Sequence, residues 1–224
     1  MKKYFLVFFI LTSYELAFSQ FVFRKSFELL CFSGQQTFDG GFVFCGTNYY
    51  SSFNDVVLAK TNSNGDNVWT KTYGGGNSDW GQVVRETSDH GFIIAGGSQS
   101  FGSGFEDDLY LIKTDSAGNL LWSEAYGDSH YESVLSIEQT NDGGYILAGN
   151  ISVGATGLKD IHVIKLDSAG VVLWTRIMGG ANEDYANEIQ ETTDNGFIVG
   201  GYTLSFGSGN KDALMFKLDS LGII

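Results

Sequence analysis

The stretch DLYLIK, Asp108 to Lys113, is apolar on both sides of an extended chain. Leu109 and Leu111 fall on one face, Tyr110 and Ile112 on the other. A strand with one wet face alternates apolar with polar, so this pattern predicts a strand buried on both faces. LLWSEAY, ESVLSIEQT and YILAGNIS follow it. Each is short, rich in β-branched and aromatic residues, and bounded by turn chemistry, so each reads as a further strand. The connections are DSAGN, a Gly-rich loop and NDGG. In the first, Gly118 suits the left-handed conformation that closes a hairpin. No segment sustains a helical period, and almost no helix is predicted.

This four-strand phrase recurs. Its first strand opens at Asp55, Asp108, Asp160 and Asp212, a step of about 52 residues. Trp69, Trp122 and Trp174 repeat in the second strand. DGGFVFCG, DHGFIIAG, DGGYILAG and DNGFIVGG mark the passage from third strand to fourth. Four-stranded sheets of this size, buried on both faces and stacked around an axis, are expected to form an all-β fold of the β-propeller kind. A solenoid would use fewer residues per coil. Ahead of the first full unit, FVFRKSF (21–27), FELLCFSGQQT and GFVFCGTN align with the second, third and fourth strands. At the other end Asp212 opens one more first strand. The expectation is either a closed four-bladed ring, in which residues 21–48 complete the unit begun at Asp212, or part of a larger ring. In the closed form 21–27 would pair with 212–219, removing open strand edges.

KTDSAGNLLW, YGGGNSDW, TNDGGYILAG and SFGSG followed by Asp resemble the repeat β-propeller domains of bacterial secreted proteins. Many of those proteins carry a C-terminal sorting domain for type IX secretion, and no such domain is read in this sequence. The resemblance covers residues 21–224. It implies the fold and an extracellular setting, and it implies no particular activity.

The N-terminus fits that setting. Lys2 and Lys3 precede an apolar run from Tyr4 to Thr12, and Ala17 and Ser19 stand at the −3 and −1 positions before Gln20. This is the pattern of a cleaved signal peptide over 1–19, leaving 20–224 as the repeat domain, exported and secreted or held at the cell surface. No later apolar run reaches membrane-spanning length. The formal net charge of −13 argues against nucleic acid or an anionic membrane as partner, because both need a basic face. It leaves glycan or protein ligands.

Trp80, Tyr131 and Tyr185 follow Gly-rich loops, each behind a polar residue, Asp79, His130 and Asp184 respectively. Loop positions of this kind are the candidate ligand contacts. Trp69, Trp122 and Trp174 read as packing between units, and Asp55, Asp108, Asp160 and Asp212 as turn-capping carboxylates. Calcium is the only cation the turns suggest. Asp115, Ser116 and Asn119 fall short of a calcium loop in ligand number, and Asn62, Asn64 and Asp66 come closer. No metal centre or cofactor is expected: His90, His130 and His162 share no spacing, and neither a phosphate-binding loop nor a nucleophile elbow occurs. Cys31 and Cys45 occupy small, buried repeat positions and fit either free thiols or a disulfide.

The expected function is therefore a non-enzymatic binding or structural module for glycan or protein ligands. The alternative is a propeller enzyme, a quinoprotein-like oxidoreductase or a polysaccharide-degrading enzyme. It would need ionisable residues that break the repeat to converge on the axis. Arg85, Arg176, Glu124 and His162 break the repeat.

Overall fold

The structure, a computed structural model, describes residues 24–48, 53–102, 107–127, 130–153 and 157–224. The expected signal peptide lies outside them. The described residues are all-β and form four antiparallel sheets, each a meander in chain order. The first sheet is β1 (Leu30–Gln36), β2 (Phe42–Thr47), β3 (Val56–Thr61) and β4 (Asn67–Tyr73). The second is β5 (Asp79–Glu86), β6 (Phe92–Ser98), β7 (Asp108–Thr114) and β8 (Leu120–Tyr126). The third is β9 (Glu132–Gln139), β10 (Tyr145–Val153), β11 (Leu158–Leu166) and β12 (Val172–Met178). The fourth has β13 (Asp184–Glu191), β14 (Phe197–Thr203) and β15 (Asp212–Leu218). No helix among the described residues is long and apolar enough to cross a membrane.

The sheets pack face to face in sequence, and three apolar layers fill the junctions. Val43, Cys45, Val56 and Leu58 of the first sheet meet Val84, Phe92, Ile94 and Ile112 of the second. Ile93, Ala95, Leu109 and Leu111 meet Ile137, Tyr145, Leu147 and Ile164. Ile146, Ala148, Ile161 and Val163 meet Ile189, Phe197, Val199 and Leu218. This explains the two-faced apolar pattern: β6 and β7 are buried at every position. β4, β8 and β12 form the outer edges and alternate between exposed and half-buried. Among the described residues, no comparable layer joins the fourth sheet to the first.

A bulge recurs in every inner strand and accounts for one glycine in each unit. The pairing skips a residue between Cys31 and Ser33, between Gly81 and Val83, between Val134 and Ser136, and between Ala186 and Glu188. Bulges kink the strand and press it on its partner. Gly46, Gly96, Gly149 and Gly201 lie opposite. A Cβ at any of them would collide with the carbonyl of Leu30, Trp80, Ser133 or Tyr185 respectively.

Two motifs far apart in each unit are joined by one ion pair. Lys60 Nζ lies 2.8 Å from Asp39 Oδ2, Lys113 2.9 Å from Asp89, and Lys165 3.0 Å from Asp142. Lys217 and Asp194 form the fourth pair. Each of the first three ammonium groups also donates to a backbone carbonyl, that of Thr61, Thr114 or Leu166. Lys60 and Thr37 hydrogen bonds hold the Asp39 carboxyl at about 2. Burial pushes Asp89 and Asp142 upward, but hydrogen bonds from Thr87 or Thr140, from the lysine and from Gly91 or Gly144 outweigh it and leave both at about 2.

The tryptophans pack between sheets. Trp69 lies 5.9 Å from Phe92, Trp122 6.0 Å from Tyr145 and Trp174 5.8 Å from Phe197, ring centre to ring centre. Each ring also sits under the turn glycine of the next unit, Gly118, Gly170 or Gly222. Those turns use their carboxylates internally: Asp115 Oδ1 accepts from the Ala117 and Asn119 amides at 2.9 and 2.8 Å, and Asp167 and Asp219 repeat the arrangement.

Three expectations need correction or placement. Residues 21–23 of the proposed closing strand lie outside the described residues. Arg24–Phe27 form no strand beside β15, and β1 and β2 belong to one sheet with β3 and β4, so residues 30–47 do not join the sheet of β15. Lys25 instead pairs with Asp66 at 2.9 Å and Phe27 lies 5.8 Å from Phe44, both on the first sheet. Cys31 and Cys45 are both free thiols. Cys45 is buried in the layer toward the second sheet while Cys31 is exposed, because Cys31 lies opposite Gly46 and strand alternation turns the neighbouring Cys45 to the other face. Asp160 is not the opening residue of its strand but the third of β11.

Candidate functional site

The inner strands β5, β9 and β13 open with a buried carboxylate, Asp79, Glu132 and Asp184. Register makes them equivalent: Asp79 pairs with Ser98, Glu132 with Ile151 and Asp184 with Thr203. The sequence reading matched Tyr131 to Trp80 and His130 to Asp79. The structure shifts that match by two residues: Ser133 is the counterpart of Trp80, and Glu132 of Asp79. The repeat keeps the carboxylate at this position, and the aromatic ring is what varies.

Asp79 is held by its own loops. The Gly75 amide donates to Oδ2 at 2.8 Å and the Ser100 hydroxyl at 2.7 Å, while the Ser98 hydroxyl donates to Oδ1. Asp184 receives the Gly180 amide at 2.8 Å and the Ser205 hydroxyl at 2.7 Å. These bonds fasten the YGGGNSD and SFGSG segments to the strand openings. Asp160 faces Asp184, and burial together with that like charge raises its pKa.

Of the predicted contact residues, Trp80 and Tyr131 line one cavity of about 220 Å3 between the second and third sheets, with Gln82, Gly97, Ser133 and Leu135. Lys159 caps the Tyr131 ring at 4.7 Å. Tyr185 lies elsewhere, stacked on Tyr202 with centres 4.7 Å apart, and Lys211 covers Tyr202. Burial and a hydrogen bond with Glu183 push the Tyr185 hydroxyl up to about 12. His130 sits half-buried just ahead of Tyr131. The six residues therefore do not form one site.

A second cavity was not predicted as a site. It measures about 430 Å3 and draws on all four inner strands: Gln35 from β1, Arg85 and Glu86 from β5, Glu138 and Gln139 from β9, and Glu188 and Gln190 from β13. Arg85 Nη2 approaches Glu188 Oε1 at 3.9 Å across it, and the Ser136 hydroxyl donates to the same oxygen at 2.8 Å. Side chains here also clamp neighbouring sheets. Gln35 Oε1 accepts from the Glu86 amide at 3.1 Å, and Glu138 Oε2 from the Glu191 amide at 2.7 Å. Arg85 is thus the one of the four repeat-breaking residues that lines this cavity. Glu124 and Arg176 lie on the outer strands β8 and β12, and His162 on β11 bonds Thr175 at 2.6 Å. The signal in the sequence was the run QVVRE, SIEQ and EIQE: polar residues ending strands whose other positions are apolar. A larger cavity of about 570 Å3 lies beside Lys25–Leu29 and is walled by the first sheet alone.

No described group of three or more His, Cys, Asp or Glu side chains is arranged to hold a metal ion. No protein-family model matches the chain. Over 113 residues it is 31% identical to the regulatory protein FlaEY of Caulobacter vibrioides. That likeness takes in 45% of this chain and 12% of the other protein, so it extends over a small part of the relative's length.

Proposed function

We propose that the four sheets are blades of a β-propeller and that the chain is an exported, non-enzymatic binding module whose ligand enters the central cavity. The observation that carries this reading is the convergence of Gln35, Arg85, Glu138, Glu188 and Gln190 from separate sheets on one polar space. Pockets built at the meeting point of repeated units are where propellers place recognition, because non-repeating side chains can meet there. Amides, carboxylates and a guanidinium offer donors and acceptors suited to a hydroxyl-rich glycan or to the polar side chains of a protein loop. The resemblance to bacterial secreted repeat propellers and the signal-like N-terminus support the extracellular setting.

A glycan array and a peptide array, each probed with the wild-type chain and with Arg85→Ala, test the reading. The expected result is binding that weakens at least tenfold in the variant while thermal stability is kept. Binding unchanged in Arg85→Ala but lost in Trp80→Ala would move the site to the outer cavity and overturn this assignment.

A further inference from the structure

The two end sheets carry matching halves of the junction used three times inside the molecule. At each internal junction the leading sheet presents one central residue of its third strand, Leu58, Leu111 or Val163, and all three are 0% exposed. Met215 holds that position in the fourth sheet and is 75% exposed. The ion-pair lysine behaves alike: side-chain exposure is 8%, 6% and 5% for Lys60, Lys113 and Lys165, but 50% for Lys217. The fourth sheet therefore ends on a leading face with no neighbour among the described residues.

The first sheet ends on the receiving face. Gly81 marks the centre of that face in the second sheet, where a side chain would touch Val56 and Cys45 of the sheet before it. Its counterpart by register is Cys31, which is exposed. The counterparts of Val56 and Cys45 in the fourth sheet are Ala213 and Gly200. A Cβ on Gly200 would meet nothing within 4 Å. A larger residue on the receiving face thus stands opposite two smaller ones on the leading face, which keeps the volume of the joint nearly constant.

Polar groups match as well. Internally, a turn amide of the leading sheet donates to the last side chain of the next inner strand: Phe38 to Glu86 at 2.7 Å, Ser88 to Gln139 at 2.7 Å, and Asn141 to Glu191 at 2.8 Å. At the ends, the Thr193 amide is the corresponding donor and Gln36 the corresponding acceptor.

We propose that these two faces bind each other between two copies of this chain, the fourth sheet of each docking on the first sheet of the other. A twofold axis then satisfies both pairs of faces and closes the assembly. The joint reuses the contacts of the first three strands of each leading sheet; the tryptophan strand that packs the internal junctions has no counterpart in the fourth sheet among the described residues.

Light scattering coupled to size exclusion tests this on the whole chain. The expected mass is twice the 24.4 kDa of one chain at micromolar concentration. Met215→Glu should give a monomer, while Leu121→Glu, on the outer strand β8, should leave the dimer intact. Thiol labelling needs no substitution: Cys31 should react with a maleimide at least tenfold more slowly at a concentration where the dimer dominates than after dilution. Cys45, buried inside one sheet pair, should stay unreactive in both. A wild-type monomer at 100 μM, or a dimer that survives Met215→Glu with Cys31 equally reactive throughout, would overturn the proposal.

Discussion

The Arg176 guanidinium donates through Nε to the Gly222 carbonyl at 2.8 Å. In the two earlier units the same task falls to a tyrosine four residues after the tryptophan: Tyr73 donates to the Gly118 carbonyl at 2.7 Å and Tyr126 to the Gly170 carbonyl at 2.5 Å from β4 and β8. In β12 that position is Met178, which has no donor, and Arg176 reaches the glycine from two residues away. The repeat has kept the bond and changed its source. Arg176→Ala should cost about 1.5 kcal/mol in urea unfolding, in line with a bond from a charged donor. Adding Met178→Tyr to that variant should recover most of the loss. No recovery would mean that Arg176 stabilises through its contact with Trp174 instead.

The four lysine–aspartate pairs look alike in sequence and should differ in worth. Lys113 is buried and donates to both Asp89 oxygens and to the Thr114 carbonyl. Lys113→Met should cost about 2 kcal/mol, because a buried carbonyl and a carboxylate lose their donor together. Lys217→Met should cost less than about 0.5 kcal/mol in the monomer, since exposed pairs are screened by water. Equal losses at the two positions would contradict the burial difference.

The glycine opposite each bulge should tolerate no side chain. Gly149→Ala brings a methyl group against the Ser133 carbonyl, so the third sheet must give up its bulge or part its strands. A loss of about 3 kcal/mol is expected by thermal denaturation. Gly143→Ala is the control for glycine loss in a turn. Its added methyl would meet nothing, so the penalty there comes only from the φ of 82° and should stay near 1 kcal/mol.

Acid should weaken the fold over a defined window. Asp39, Asp89 and Asp142 titrate at about 2 in the folded chain, below the usual unfolded value. A carboxyl depressed by folding lends stability that is complete above its unfolded pKa of about 4 and is lost as pH falls toward its folded value. Asp160 has the opposite sign, its pKa being raised by burial and by Asp184, but Asp66, Asp115 and Asp194 are lowered too, so the depressed carboxyls outweigh it. Urea midpoints should therefore hold steady from pH 6 to 5 and fall between pH 4 and 2. A Lys60, Lys113 and Lys165 triple methionine variant should flatten that fall.

The strand pattern was legible because each strand is short, two-faced and ended by turn residues. The bounds of β7 and β8 coincide with DLYLIKT and LLWSEAY. The packing role of Trp122 could be read from its recurrence alone. The cavity shared by the inner strands could not be read, because it depends on where the ends of β1, β5, β9 and β13 meet, and no spacing along the chain encodes that meeting. The two-residue error at His130 and Tyr131 has a related cause. Matching aromatic with aromatic assumed that the ring was the repeated feature, whereas strand register shows that the carboxylate Glu132 holds the place of Asp79 and Asp184.

Among the described residues, every hydrogen-bonded strand pair joins immediate neighbours along the chain. Gene duplication can therefore lengthen or shorten such a protein without rethreading it, since a new unit brings its own pairings and disturbs only the two faces it is slipped between. Drift is confined in the same way. The exchange of tyrosine for arginine in β12 had to suit one turn in the following unit and nothing beyond it. Units can diverge singly in their exposed ends while the buried joints hold them in line, which is how a chain built by copying comes to possess, where its inner strands meet, a set of side chains that is not copied.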